Sequence, residues 1–147
     1  MIRFLISIRL AALFKACAER ALEGIVSKHA LVPYRSGRSR TWLKTKCFTE
    51  STFVVVGTDR DRKTGALMAL LAHSDGLKYA GAAFITLNGD ERKEFLAEVE
   101  RLATSWDALK SSRATDVKWC QPRLMVRVRH LAGCKTLRHA TVKGLEN

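Results

Sequence analysis

Between Thr52 and Ala83 the chain repeats one pattern: a short run of β-branched and aliphatic residues closed by a turn signal. Thr52–Thr58 is built around Phe-Val-Val-Val, Ala66–Ala72 is almost wholly apolar, and Leu77–Ala83 follows. Asp-Arg-Lys-Thr-Gly and Ser-Asp-Gly stand between them. Apolar runs of this length, punctuated by Asp/Gly turns, predict a meander of antiparallel strands. A meander cannot bury its apolar face alone, so the remaining segments must supply a cover or close the sheet.

Those segments follow directly. Asn88-Gly89-Asp90-Glu91 has a capping residue with a glutamate three positions on, and Phe95, Leu96, Val99, Leu102 and Trp106 continue at helical spacing. After a polar link over 107–116, a returning strand sets Leu124, Val126 and Val128 on one face and Arg123, Arg127 and Arg129 on the other. Strands, one helix and a returning strand in roughly 95 residues suit a five-stranded Greek-key barrel of OB type, an α+β fold that is mostly β. Periodicity alone leaves other small α+β folds open.

The first third reads differently. Leu10, Leu13, Phe14, Cys17 and Ala21 share one helical face opposite Lys15, Glu19 and Arg20, which predicts a helix of about three turns stopped at Gly24. Glu23–Lys28 is a short strand, residues 33–41 a basic loop, and Trp42–Lys46 a second strand. Successive side chains on a strand alternate faces, so Lys44 and Lys46 point to the same side. The change of texture after Cys47 divides the chain into residues 1–47 and residues 48–147.

Lys and Arg number 26 against 14 Asp and Glu, a net charge of +12 that attracts polyanions. Nucleic acid is the leading partner; an ordinary basic soluble protein and a basic membrane-binding stretch are the alternatives on charge alone. Cys17, Cys47, Cys120 and Cys134 form no CxxC pair and read as reduced, mostly buried thiols rather than a zinc site. The apolar first fourteen residues are interrupted by Arg3 and Arg9 and lack a cleavage signal, and no segment reaches the ~20 apolar residues of a membrane helix. A cytoplasmic protein with no membrane partner is expected.

Three blocks then stand in order: Leu22-Glu23-Gly24-Ile25-Val26-Ser27-Lys28, Pro33-Tyr34-Arg35-Ser36-Gly37-Arg38 and Trp42-Leu43-Lys44-Thr45-Lys46-Cys47. Together they closely resemble consecutive elements of bacterial ATP-dependent DNA ligases of the end-joining type. Tyr79-Ala80-Gly81, the Trp119–Leu124 segment and the closing Leu137-Arg138-His139-Ala140-Thr141-Val142-Lys143-Gly144-Leu145 are similar to the OB-fold of the same ligases.

The resemblance implies residues 1–47 as a C-terminal remnant of the nucleotidyltransferase (adenylation) domain and residues 48–147 as the OB-fold domain. It implies Glu23 of the fourth motif as an active-site carboxylate near Mg²⁺ or another divalent metal. Lys44 and Lys46 of the fifth motif become the contacts to the α-phosphate of ATP. Arg138 and Lys143, in a segment similar to the sixth motif, are the candidates for orienting the leaving pyrophosphate. That match is looser, because many members carry Pro and an aromatic where Ala140 and Val142 stand. Arg35, Arg38 and Arg40, with Arg123, Arg127 and Arg129, are candidate contacts to the backbone of nicked or broken duplex DNA.

Members of the family adenylylate a lysine in a Lys-Xxx-Asp-Gly element, and this sequence contains none. Two readings follow: a ligase portion that works with an upstream ligase half bearing that lysine and does not adenylylate itself, or a non-catalytic basic OB-fold that binds DNA. RNA capping enzymes share the general plan but resemble these blocks less.

Overall fold

The computed structural model describes residues 3–105 and 117–146. Two units result: Met1–Phe48 with Leu131–Cys134, and Thr49–His130 with Lys135–Asn147.

The first unit is a helix on a β-hairpin. Helix α1 spans Arg3–Glu19, strand β1 Gly24–Lys28 and strand β2 Trp42–Lys46. The helix begins earlier than the sequence reading placed it, since no Gly or Pro interrupts the apolar stretch before Leu10. It also ends before Gly24. Ala21 turns to φ +52°, the Leu22 amide donates to the Cys17 carbonyl at 2.9 Å and the Ala21 amide to Ala18 at 3.0 Å. This is a Schellman stop with alanine where glycine is usual, so no glycine announced it.

The two strands pair antiparallel, Gly24 opposite Lys46, Val26 opposite Lys44 and Lys28 opposite Trp42. The Cys47 amide donates to the Glu23 carbonyl at 2.9 Å, extending the ladder past Gly24. Cys17 and Cys47 are buried with Ala132, flanked by Phe14 and Ile25. Ile25 alternates with Gly24, Val26 and Lys28, so this small core lies on one face of the hairpin, while Val26 and Lys44 on the other are exposed. Leu13, on the predicted apolar stripe, stays 54% exposed.

The second unit is a closed barrel. Strands β3 (Phe48–Arg60), β4 (Leu67–Ala72), β5 (Tyr79–Ile85), β6 (Lys118–Leu131) and β7 (Thr141–Glu146) run around it in the order β3-β4-β5-β7-β6. Helix α2, Gly89–Arg101, intervenes between β5 and β6. The one parallel contact, β5 with β7, pairs Phe84 with Thr141 and Ile85 with Val142. Five strands, a parallel closing pair and a helix after the third barrel strand are the OB plan. The expectation of a mostly β, OB-type fold is borne out.

Inside lie Val55, Leu71, Ala83, Phe95, Val99, Cys120, Val126, Val128 and Val142. The Phe-Val-Val-Val run is buried throughout because its outer face is covered too: Val56 packs with Leu70 and Ala72 under Tyr79 and Trp119. Asn88 caps α2 by accepting from the Glu91 amide at 3.1 Å, as its sequence position suggested. Trp106 and the polar link 107–116 lie outside the described residues.

Strand β7 lacks the alternation that marks a strand in the sequence. Between Val142 and Gly144 its register against β6 shifts by one, leaving Lys143 as the extra residue of a bulge. A similar shift on β5 sets Ala80 between partners, and Gly81 takes φ +139° where the Leu137 amide reaches the Ala80 carbonyl at 2.8 Å. A Cβ on Gly81 would stand 2.8 Å from the Leu137 Cβ, so only glycine admits the crossing. Among the described residues no helix is long and apolar enough to cross a membrane.

Candidate functional site

The hairpin's outward face collects the chemistry. Directly opposed residues of an antiparallel pair project to the same side, so the register puts Lys28, Val26 and Gly24 beside Trp42, Lys44 and Lys46. Glu23 precedes β1 by one residue with its carbonyl tied to Cys47. Glu23, Gly24, Val26, Lys44 and Lys46 border a shallow depression of about 180 Å³. The structure therefore brings together the three residues singled out for phosphate and metal chemistry.

Gly24 makes that closeness available. Its φ is +154°, and a Cβ there would meet the Thr45 carbonyl oxygen at 2.3 Å and the Lys46 Cα at 2.9 Å. With no side chain at this position, the backbone carrying Glu23 lies against the backbone carrying Lys46.

Lys44 also borders a second, larger depression of about 800 Å³, shared with Arg38, Ser39, Arg40 and Trp42. Arg35 is exposed on the same loop but does not line it. The loop is pinned at one end by the Ser39 and Thr41 hydroxyls, 2.6 Å apart, and by the His29 amide donating to the Thr41 carbonyl at 3.1 Å. Two further groups join this surface around Trp42. The Lys28 ammonium lies 4.2 Å from the centre of the Trp42 ring, and Tyr34 stands 5.4 Å from it, tilted by 48°. The sequence reading gave Tyr34 and Trp42 no site role. Their meeting depends on the Lys28–Trp42 register, which spacing does not reveal.

On the barrel, Arg123, Arg127 and Arg129 alternate with buried Leu124, Val126 and Val128 along β6, and all three are exposed. Arg127 is engaged: its guanidinium lies 3.4 Å from Glu50 and 3.7 Å from Glu146. Those ion pairs are half-exposed and weak. Arg138 is exposed in the turn before β7, and Lys143 is exposed at the β7 bulge.

A mixed-charge cleft of about 730 Å³ is lined by Arg60, Arg62, Arg92 and Lys118 together with Asp59, Asp61 and Glu100, none of which the sequence pattern connects. Its lining comes from separate elements with no common motif. Among the described residues no group of three or more His, Cys, Asp or Glu could hold a metal by itself.

With its OB barrel and a hairpin that carries a carboxylate and paired lysines, the chain is similar to the bacterial ATP-dependent DNA ligases of the end-joining type. The multifunctional non-homologous end joining protein LigD of Pseudomonas aeruginosa is 31% identical over 127 residues, a match covering 79% of this chain and 15% of that protein. Among solved structures, the ligase domain of M. tuberculosis LigD superposes with a TM-score of 0.56 at 21% identity, covering 92% of this chain and 48% of that one. A mycobacterial DNA ligase D complexed with ATP and MES gives 0.53 at 23% identity, over 92% of this chain and 47% of that one. At these identities the structural likeness establishes the fold. The chain spans 15% of the length of the curated relative and about half of each ligase structure. No family model matches the chain.

Proposed function

We propose that this chain supplies the phosphate-gripping and DNA-facing part of an ATP-dependent end-joining DNA ligase. The carrying observation is the shared border of Glu23, Lys44 and Lys46 on one hairpin face. Two ammonium groups on the same strand face suit an α-phosphate, whose oxygens gain charge as a phosphoryl or adenylyl group transfers. Fixed cations there lower the barrier by position and electrostatics. Glu23 is a single carboxylate, which fits a divalent ion such as Mg²⁺ that keeps its waters and takes other oxygens from phosphates. Bound, that ion would neutralise phosphate charge.

On this reading Arg138 and Lys143 orient the leaving pyrophosphate, and Arg35, Arg38, Arg40, Arg123, Arg127 and Arg129 neutralise the backbone of nicked or broken duplex DNA. Residues 1–47 correspond to the end of an adenylation domain and residues 48–147 to its OB partner. The sequence has no Lys-Xxx-Asp-Gly, so the nucleophile comes from an upstream ligase half outside this sequence. ATP-dependent nick sealing should appear when the chain is combined with a fragment bearing that lysine. Lys44→Ala or Lys46→Ala should then lower the rate by roughly 10²- to 10³-fold.

The absence of that nucleophile favours a second reading, a basic OB-fold that holds DNA without chemistry. Salt-dependent duplex binding without sealing, at roughly micromolar concentrations of both pieces, would select it over the first.

A further inference from the structure

We propose that Tyr34 and Trp42 form a stacking platform for an unpaired nucleotide at the end of a DNA strand, with Arg38, Arg40 and Lys44 receiving its phosphates. The identity of the polymer rests on the ligase reading above; the chemistry rests on the hairpin.

Tyr34 is 74% exposed, although a large aromatic ring gains by burial. It is nonetheless held, 5.4 Å from Trp42, and Trp42 is in turn held by the Lys28 ammonium at 4.2 Å. A structural staple between loop and strand accounts for the Lys28–Trp42 contact. It does not account for the exposed ring of Tyr34, most of which no neighbour covers.

Beside the rings lies the depression of about 800 Å³ bordered by Arg38, Arg40 and Lys44. From Gly24 to Thr49 the sequence holds Lys28, Arg35, Arg38, Arg40, Lys44 and Lys46 and no Asp or Glu, so this surface is uniformly cationic along the chain. Open aromatic face next to the Arg38, Arg40 and Lys44 cations is the chemistry that receives a base and its phosphates together. In the interior of a duplex the base faces are already stacked. An unpaired terminal nucleotide is the part of broken DNA that has a free face to offer.

The test uses the full chain and two fluorescent duplexes of equal sequence, one blunt and one with a short single-stranded extension, in anisotropy titrations at low salt. The extended duplex should bind about 5- to 10-fold tighter. Tyr34→Ala should abolish that preference and leave blunt-end affinity unchanged, while Tyr34→Phe, which keeps the π face, should retain it. Arg38→Ala should weaken the extended duplex more than the blunt one and reduce the salt slope of the extended duplex by about one. Equal wild-type affinity for the two duplexes, or a preference that survives Tyr34→Ala, overturns the platform while blunt-duplex binding leaves the ligase reading standing. Competition by ATP as effective as competition by a short oligonucleotide would assign the rings to a free nucleotide and overturn the DNA-end assignment. Absence of binding to either duplex overturns both readings.

Discussion

Replacing Gly24 by alanine tests the claim that one missing side chain holds Glu23 against Lys46. The added Cβ would stand 2.3 Å from the Thr45 carbonyl oxygen and 2.9 Å from the Lys46 Cα, where ordinary contact begins near 3.4 Å. Both close atoms belong to backbone, so no side chain can swing aside. Relief requires β1 to move away from β2 by about an ångström, which breaks the ladder at its Gly24–Lys46 end. Non-glycine backbone at φ +154° adds strain. Forced overpacking costs about 1–3 kcal/mol and backbone strain another 1–3 kcal/mol; with partial relaxation a total of about 2–4 kcal/mol is expected. At 1.4 kcal/mol per tenfold, local opening of the hairpin should rise roughly 30- to 1000-fold.

Amide hydrogen exchange reads this directly. The Cys47 amide, which donates to the Glu23 carbonyl, should lose protection by about that factor in Gly24→Ala. Amides within the barrel, such as Phe84 donating to Ala140, belong to the other unit and should keep their rates. Wild-type protection at Cys47 in the variant would refute the argument that the close approach needs glycine. Equal loss in hairpin and barrel would refute the localisation.

Gly81→Ala should destabilise the barrel itself by about 2–4 kcal/mol, lowering the urea midpoint, because its Cβ would stand 2.8 Å from the Leu137 Cβ at φ +139°; an unchanged midpoint contradicts the crossing. Burial pushes the Cys120 thiol up to about 11, so in native protein near pH 8 the partly exposed Cys134 should react with a thiol reagent well before Cys120. Comparable labelling rates would show that the barrel admits reagent. Hydrogen bonds from the Thr64 hydroxyl and amide hold the Asp61 carboxyl below its ordinary range. A depressed folded pKa gives stability that is present above the unfolded value and lost as pH falls through the folded one. The turn should therefore loosen below about pH 4, and Thr64 amide shifts should titrate there in the wild type but not in Asp61→Asn.

The barrel was legible where local signals agree with the fold. Alternation marked β6, turn residues separated β3, β4 and β5, and Asn88 announced α2. Strand β7 was missed because the Lys143 bulge and Gly144 break its alternation, and the α1 stop because Ala21 carries a conformation that glycine usually signals. At the hairpin, side-chain parity placed Lys44 and Lys46 on one face. Parity within a strand says nothing of the strand opposite, however. That Lys28 meets Trp42 and Gly24 meets Lys46 follows from register, which Gly24 and the Cys47–Glu23 hydrogen bond help to fix. The carboxylates beside Arg127 come from Glu50 and Glu146, residues far away in sequence, and no local pattern could have named them.

Register also has an electrostatic consequence. Folding the hairpin sets Lys28, Lys44 and Lys46 on a single face, with Glu23 bordering it, whereas the unfolded segment spreads the same cations along an extended chain. Each repulsion is weak in water, but all have the same sign. The core beneath is small, formed around Cys17, Cys47 and Ala132, and has little burial to set against them. A polyanion on this face reverses the balance, because the folded hairpin concentrates the charge that the anion binds and the open segment does not. On the proposed role, binding and hairpin order would therefore be linked, each favouring the other by the same free energy. High salt acts on both terms: it screens the repulsion that opposes folding and competes with the phosphate that favours it. On the phosphate-binding role proposed above, the small core and the crowded cations are thus two sides of one design, in which bound phosphate would complete the surface that holds it.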